Sequence, residues 1–251
     1  MTLKEKMQSG RKIAGTIILV VRNPALMMIA QNAGLDFLVY DCEHSTYSFE
    51  TLHDALLMGK ALGMDGIVRV PVGTRDYISR ALDSGATGIM VPLVETAQQA
   101  QDLVKYSKYP PDGKRGFASG CAHTCYQSGK HEEITVEHNS RVVTIAQVET
   151  AKAVEDVDAI ASVEGLDVIF VGPHDLSVSL GIPGDLMNPI ELEAIAKVAA
   201  ACKKHGKILG MHGDKALLSK FSADLLMCTS AIDTDFLMNG FSGVRALVDS
   251  L

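Results

Sequence analysis

The chain has 251 residues, which is long for one ordinary domain but usual for a single α/β barrel. It is 47% hydrophobic, with no tryptophan and 5% aromatic residues, so a buried core must consist mainly of aliphatic side chains. The net charge of −7 argues against nucleic acid or an anionic membrane as the main partner, but it leaves small anionic substrates open.

Cysteine usage and the first residues of the chain predict a soluble, cytoplasmic protein. The five cysteines are an odd number and are scattered, which argues against a disulfide framework and for a reducing compartment. Residues 1–12 are charged and lack the apolar stretch of a signal peptide. The longest apolar runs are too short to cross a bilayer.

Short apolar runs of strand character alternate with longer segments of helical period. The predicted strands are 13–21, 37–41, 66–70, 88–91, 142–147, 167–171, 207–211 and 224–228. The predicted helices are 24–33, 49–63, 74–84, 95–106, 150–163, 189–204, 214–221 and 231–248. Eight strand–helix units in a chain of this length indicate a closed (β/α)₈ barrel that forms one domain over residues 1–251.

One long segment, residues 107–141, interrupts this alternation with a polar sequence. A structureless loop of that length in a compact domain is usually functional or part of an interface. Within it, Cys121 and Cys125 flank His123, but a second ligand pair of zinc-finger type is missing, so we disfavour a structural metal there. His131 and His138 lie in polar surroundings and are expected to be exposed.

Two acidic residues follow successive strands and are the best candidates for chemistry. Glu149 comes just after the fifth strand and Asp175 just after the sixth. Carboxylates at the C-terminal rim of a barrel suit a hard divalent cation with open coordination positions. Glu95 follows the fourth strand in the same Val-Glu-Thr-Ala pattern and therefore competes with Glu149. Either glutamate can instead be a favourable residue at a helix start.

Two other strand ends carry groups suited to proton transfer and charge stabilisation. Asp41 stands three residues before His44, which allows a general-base pair or merely a local surface hydrogen bond. The neighbouring Glu43 is expected to point elsewhere. Arg69 lies in an apolar strand, where it needs an anion, either an internal ion-pair partner or a developing oxyanion.

The segment after the sixth strand and the absence of a lysine narrow the reaction class. Gly172, Pro173 and His174 precede Asp175 in a predicted turn whose backbone N–H groups can hold a carboxylate. A Schiff-base aldolase would need a lysine at the carboxyl end of a strand, and none is present there. Metal-dependent chemistry is therefore favoured over an imine route.

Several segments together resemble the HpcH/HpaI aldolase family, the class II pyruvate aldolases. They lie in order over nearly the whole chain: 36–44 (DFLVYDCEH), 68–71 (VRVP), 85–92 (GATGIMVP), 109–116 (YPPDGKRG), 147–150 (QVET) and 165–177 (GLDVIFVGPHDLS). The resemblance implies a (β/α)₈ barrel of the phosphoenolpyruvate/pyruvate type. It also implies a homo-oligomer, typically a hexamer built from swapped dimers.

The resemblance further implies a role for each candidate residue. Glu149 and Asp175 match the metal ligands, His44 with Asp41 the base dyad, Arg69 the residue that stabilises the pyruvate enolate, Gln147 a polar neighbour of the metal, and the backbone around Gly172, Pro173 and His174 the carboxylate-binding segment. The cofactor would be Mg²⁺, Mn²⁺ or Co²⁺, with no organic cofactor.

The chain departs from the family pattern at positions that concern the substrate. Thr46 replaces a frequent proline, and His174 replaces a common alanine. His212 lies in a Gly-Met-His-Gly segment, where the family has a more apolar sequence associated with the aldehyde pocket, so we predict that it contacts the substrate. The Ser119–Gly129 segment is also unusual.

The predicted function is reversible cleavage of a 4-hydroxy-2-oxo acid to pyruvate and an aldehyde by a divalent-metal-dependent lyase. Its partners would be these small molecules, without nucleic acid or membrane. The alternatives are a related enolate enzyme, such as an oxaloacetate decarboxylase or a CoA-ester lyase, and a non-catalytic barrel that binds an oxo acid.

Overall fold

The computed structural model describes residues 1–251, and its eight strands close into a parallel barrel in the order of the chain. The strands are β1 (Ile13–Ile18), β2 (Phe37–Asp41), β3 (Asp65–Arg69), β4 (Gly88–Val91), β5 (Val143–Val148), β6 (Val168–Val171), β7 (Ile208–His212) and β8 (Leu225–Ile232). Each strand pairs with the next, and β8 pairs with β1. The predicted (β/α)₈ barrel is confirmed.

Twelve helices accompany these strands. They are α1 (Leu3–Gln8), α2 (Leu26–Asn32), α3 (Phe49–Leu62), α4 (Arg75–Asp83), α5 (Ala97–Ser107), α6 (His131–Arg141), α7 (Ala151–Glu155), α8 (Val157–Ala161), α9 (Pro173–Ser179), α10 (Pro189–His205), α11 (Lys215–Lys220) and α12 (Asp233–Asp249). Caps fix several of their ends. Asn188 caps α10 ahead of a proline, and Gly63 and Gly206 end α3 and α10 in the left-handed conformation.

Element boundaries differ from the prediction where side chains bond to the backbone. The first strand ends at Ile18 rather than at residue 21, because the N–H groups of Leu19, Val20 and Val21 donate to the buried carboxylate of Asp233. The last strand continues to Ile232. The predicted helix 150–163 is two short helices, α7 and α8, and the predicted turn after β6 is the helix α9.

Helix α1 was not predicted, although its sequence carries a start signal. Thr2 and Glu5 form a capping box, in which each side chain accepts a hydrogen bond from the other residue's backbone. The helix buries Leu3 and Met7 against the apolar side chains inside the barrel. It thus closes the end of the barrel at which the strands begin.

The segment 107–141 is not the structureless loop that the sequence suggested. It contains a 3₁₀ turn at Ala122–Thr124 and the whole of α6. His131 is exposed as predicted, but the prediction for His138 was wrong. The His138 ring is half-buried, with its centroid 4.7 Å from that of the buried His123. The loop folds back on itself and shields both rings from water.

Inside the barrel, side chains change from apolar to polar towards the carboxyl ends of the strands. Because successive residues alternate between the two faces of a strand, every second residue points inward. In β2 these are Phe37, Val39 and then Asp41; in β3, Ile67 is followed by Arg69. The inward-facing residues nearer the amino ends of the strands form the apolar core of the barrel. Polar groups therefore gather at the carboxyl-terminal mouth.

Helix α12 contacts its own barrel only near its start. Asp233 is its one buried residue, whereas a row of apolar side chains is exposed: Phe236, Leu237, Met238, Phe241, Val244, Leu247 and Val248. An exposed apolar face of this extent usually marks an interaction surface. Crossing a bilayer would require a longer and more apolar helix than any in this structure.

Candidate active site

A cavity of about 300 Å³ opens at the carboxyl-terminal mouth of the barrel. Each of the eight strands contributes at least one residue to its wall. The lining residues are Ile17, Leu19, Asp41, His44, Arg69, Met90, Gln147, Phe170, Gly172, Pro173, His174, Asp175, His212, Ile232 and Asp235. Nine of the ten predicted site residues are among them, and the tenth, Glu149, lies directly behind Gln147.

Arg69 is held in a fixed orientation by Asp41 at the end of the neighbouring strand. Its Nε lies 2.9 Å from Asp41 Oδ1 and its Nη2 lies 2.7 Å from Oδ2. Burial by itself would lower the pKa of Arg69, but the hydrogen bonds and charge of Asp41 outweigh burial and raise it. The guanidinium is therefore a permanent, preorganised cation in the cavity wall.

The structure does not pair the side chains of Asp41 and His44 as the sequence suggested. The Asp41 carboxylate is fully buried, and besides Arg69 it accepts the backbone N–H groups of Glu43 and His44, at 2.9 and 3.4 Å. The His44 ring is 60% exposed, and its Nε2 lies 3.6 Å from Glu43 Oε2. Asp41 thus positions the His44 backbone, whereas the His44 imidazole faces Glu43.

Glu43 points towards Arg69, which corrects the expectation that its side chain would point elsewhere. Its Oε2 lies 3.4 Å from Arg69 Nη1 as well as near His44. Burial raises the pKa of Glu43, although the charge of Arg69 acts against that rise. Strand alternation could not predict this orientation, because Glu43 comes after the end of β2.

Glu149 is 2% exposed and is bonded through both oxygens. Oε1 accepts the N–H of Leu93 at 2.7 Å, and Oε2 accepts the side-chain amide of Gln147. Leu93 has a positive φ of 52°, a strained conformation for a branched residue that aims its N–H at the carboxylate. Burial raises the pKa of Glu149 to about 7; the Leu93 N–H opposes this rise and the charge of Asp175 adds to it.

The oxygen atoms around Glu149 fit a hard divalent cation. Asp175 lies exposed in the first turn of α9, near enough to Glu149 for their charges to interact. The buried Gln147 Oε1 has no hydrogen-bond partner, so it is a free acceptor beside the two acids. No group of three or more His, Cys, Asp or Glu side chains is arranged for metal binding. A cation held by two carboxylates would keep open coordination positions for substrate oxygens.

Gly172 allows α9 to approach these groups closely. A Cβ atom at this position would lie 2.5 Å from Glu149 Oε2 and 2.8 Å from Gln147 Nε2, well inside van der Waals contact. We expect Gly172→Ala to displace Glu149 and to weaken Mn²⁺ binding at least tenfold, measured by isothermal titration calorimetry. Gly240→Ala on α12 is the control, because its Cβ would meet no atom within 4 Å and its backbone is helical. Equal Mn²⁺ affinity of both variants would contradict this role.

His212 and His174 line the cavity on the side of β6 and β7. His212 Nδ1 lies 3.0 Å from the hydroxyl oxygen of the fully buried Thr229. Burial, together with the charges of His174 and Arg69, lowers the pKa of His212 to about 4, so the ring is neutral near pH 7. His174 is exposed, and the two ring centroids are 6.4 Å apart.

The competing metal-site candidates are not arranged for that role. The Glu95 carboxylate accepts hydrogen bonds from Thr150 Oγ1 and Lys152 Nζ, both at 2.9 Å, and does not line the cavity. The geometry therefore favours Glu149. At the Cys121–Cys125 segment, His123 is buried against His138 and no metal-binding group forms.

Sequence reasoning missed Asp235, an acid of the cavity wall, and the direction of the Glu43 side chain, which points towards Arg69. Asp235 lies in the first turn of α12, where its Oδ2 accepts the N–H of Ile232 at 3.0 Å. Its position shortly after the eighth strand was a usable signal, because every strand of a barrel delivers residues to the same rim.

Comparison with known proteins assigns the family. The sequence model of the HpcH/HpaI aldolase/citrate lyase family matches residues 17–227. A hydroxypyruvate/pyruvate aldolase of Roseobacter denitrificans is 32% identical over 98% of this chain and 96% of its own length. A 5-keto-4-deoxy-D-glucarate aldolase of Klebsiella pneumoniae is 37% identical over 75% of this chain and 73% of its own length.

A solved structure agrees over the whole fold. The crystal structure of an HpcH/HpaI aldolase from Desulfitobacterium hafniense has a TM-score of 0.95 and 33% identity, and the alignment covers 100% of this chain and 98% of that one. The match of the family and of the named aldolases over most of the sequence shows that this chain belongs to the HpcH/HpaI aldolase/citrate lyase family and is a carbon–carbon lyase of the pyruvate or oxo-acid aldolase kind.

Proposed function

We propose that the chain is a divalent-metal-dependent aldolase that reversibly cleaves a 4-hydroxy-2-oxo acid to pyruvate and an aldehyde. The observation that carries this proposal is that Arg69, locked by Asp41, and the acid Asp175 line one cavity, with the second acid, Glu149, bonded directly behind the wall residue Gln147. A Mg²⁺, Mn²⁺ or Co²⁺ ion held by these acids would supply a Lewis acid for the substrate's carboxylate and 2-oxo group.

Arg69 stabilises the negative charge that develops on the 2-oxo oxygen when the C3–C4 bond breaks. Its two bonds to Asp41 hold the guanidinium still, so no reorganisation is needed as the charge appears. The N–H groups at the start of α9 and the side chain of His174 bind the substrate carboxylate. This arrangement fixes the pyruvate half of the substrate against β3 and β6.

His44 takes the proton from the 4-hydroxyl, directly or through one water molecule. Its Nε2 is at the cavity rim, 3.6 Å from Glu43 Oε2, and the Asp41 carboxylate holds the backbone on which it sits. Loss of the hydroxyl proton releases the aldehyde, and the electron pair of the broken bond passes to the pyruvate enolate. Protonation of the enolate at C3 then gives pyruvate.

Exchange of the methyl protons of pyruvate in deuterated water tests this proposal without knowledge of the aldehyde. We expect exchange that EDTA abolishes and that added Mn²⁺ restores, because enolate formation needs the Lewis acid. Glu149→Gln removes the buried acid but keeps its size, and it should lower the exchange rate at least 10²-fold, by analogy with the loss of one charge-stabilising group. Full exchange by a folded Glu149→Gln protein would refute the proposal.

Pyruvate exchange and the decarboxylation of oxaloacetate together separate the alternatives. No exchange with any metal would favour a non-catalytic barrel. Release of CO₂ from oxaloacetate without aldehyde condensation would favour a decarboxylase. A CoA-ester lyase needs basic residues for the CoA phosphates, but Arg69 is the only lysine or arginine in the cavity wall and already pairs with Asp41.

We also propose that the protein is a homo-oligomer in which two copies exchange α12, with the hexamer of swapped dimers as the complete assembly. The exposed apolar row of α12 supports this. A groove of about 360 Å³ along α11 and β8 would receive a helix from a second copy. Its lining residues are Lys12, Lys215, Leu218, Ser219, Ser222, Leu225, Cys228 and Ser230.

Size-exclusion chromatography with light scattering tests the assembly. We expect the mass of several copies for the wild type and a shift towards one copy for the double variant Phe241→Asp and Val244→Asp, because charges in a buried apolar contact are costly. Val136→Asp on α6 changes an equally exposed valine and should leave the mass unchanged. A single-copy mass for the wild type would rule out the assembly.

A further inference from the structure

The cavity has a half that the proposed chemistry of the pyruvate unit does not use. Arg69, Glu149 and Asp175 lie at the ends of β3, β5 and β6, so the pyruvate unit occupies that side. The remaining wall is formed by the ends of β7, β8 and β1. Its residues are Ile17, Leu19, His212, Ile232 and Asp235. The carbon chain of the aldehyde must therefore extend towards these five side chains.

His212 gives this half a neutral hydrogen-bonding group. Its Nδ1 is engaged by the buried hydroxyl of Thr229, which fixes the plane of the ring. Its Nε2 has no protein partner and is left for a ligand in the cavity that the residue lines. A neutral imidazole nitrogen can donate to or accept from a hydroxyl group. Such a site rejects a substrate analogue without the hydroxyl, because the imidazole is then left unpaired.

Asp235 gives the same half its only formal charge. The bond from the Ile232 N–H to Oδ2 fixes the carboxylate at the first turn of α12. No lysine or arginine is present among the five residues, so their side chains offer a carboxylate on the aldehyde no cation to pair with. It would instead meet the like charge of Asp235, and juxtaposed like charges are a strong means of excluding wrong partners.

We propose that this half of the cavity selects uncharged aldehydes that carry hydroxyl groups, such as glycolaldehyde and glyceraldehyde, against aldehydes that carry a carboxylate. His212 Nε2 and the free Oδ1 of Asp235 bind the hydroxyl groups, and Ile17, Leu19 and Ile232 contact the carbon chain. The inference rests on the proposed aldolase function and adds the class of its second substrate.

Condensation of pyruvate with three different aldehydes, measured separately, tests the inference. The wild type with Mn²⁺ and pyruvate is given glyceraldehyde, propionaldehyde, which lacks the hydroxyls, or succinic semialdehyde, which carries a carboxylate. We expect kcat/KM for glyceraldehyde to exceed that for each of the others by about tenfold or more. A ratio of one or less for glyceraldehyde over succinic semialdehyde would overturn the inference.

A variant of Asp235 tests the part of this residue in the selectivity. The ratio of kcat/KM for two aldehydes is measured on each protein preparation. Asp235→Asn keeps an oxygen for the Ile232 N–H but removes the charge. It should raise kcat/KM for succinic semialdehyde, relative to that for glyceraldehyde, about tenfold. Asp214→Asn is the control, since the Asp214 side chain also accepts a backbone N–H at the start of a helix, α11, but lies outside the cavity wall. Equal ratios for both variants would overturn the role of Asp235.

His212→Leu tests the hydroxyl contact separately. We expect the preference for glyceraldehyde over propionaldehyde to fall by about tenfold or more, and His212→Gln, which can donate and accept, should retain part of it. An unchanged preference in His212→Leu would remove this residue from the selection.

Pyruvate exchange distinguishes failure of this inference from failure of the proposed function. Wild-type protein that exchanges the methyl protons but shows no preference among the aldehydes contradicts only the substrate class. Wild-type protein that shows no exchange with any metal contradicts both.

Discussion

Replacing Arg69 with lysine is expected to lower the kcat of aldol cleavage by about 10²–10³-fold, the usual effect of losing one preorganised oxyanion group. A lysine is a single point charge and cannot bond Asp41 in the two-point manner of a guanidinium while also facing the substrate. Steady-state kinetics of cleavage, with Mn²⁺ binding measured in parallel, checks this result. The Mn²⁺ affinity should change far less than kcat, since Arg69 supplies no oxygen ligand.

The matched control is Arg141→Lys, which changes an exposed arginine that pairs with Glu137 on α6. It should leave kcat within about twofold, because an exposed ion pair has little energetic effect. A kcat for Arg69→Lys equal to that of the control would remove Arg69 from the chemistry and leave it a structural partner of Asp41.

Replacing Asp41 with alanine is expected to destabilise the fold by about 3–5 kcal/mol, because it leaves the buried charge of Arg69 with only the longer contact to Glu43. For a chain of this size the loss corresponds to a decrease in Tm of about 6–20 °C, which differential scanning calorimetry can measure. The backbone N–H groups of Glu43 and His44 also lose their acceptor.

The double variant Asp41→Ala with Arg69→Met gives the internal check. Removing both charges should recover part of the lost Tm, since the large penalty comes from one unpaired charge rather than from loss of the pair. Asp158→Ala, which breaks an exposed pair with Lys204, should not measurably change Tm. A Tm for Asp41→Ala equal to that of Asp158→Ala would contradict the structural role.

Sequence reasoning located the strand ends but could not pair the groups beyond them. Arg69 was predicted at the end of its strand and is found there, because alternation and the rim rule depend only on local sequence. His44 and Glu43 come after the end of β2, where no periodic rule sets side-chain direction. Their partners depend on which groups of β3 and α9 lie opposite, and that is a tertiary property.

Local sequence patterns are sufficient to predict the barrel and the acids and cation of its mouth. Eight strands that alternate with helices close into a parallel barrel in chain order. This closure brings the residues at the ends of β2, β3, β5 and β6 to one rim. The folded chain is needed to see that Asp41 binds Arg69 rather than the His44 ring, that Asp235 faces the cavity, and that α12 leaves its barrel. Each of these depends on distances between segments remote in sequence, and packing and charge fix such distances only when the chain is folded.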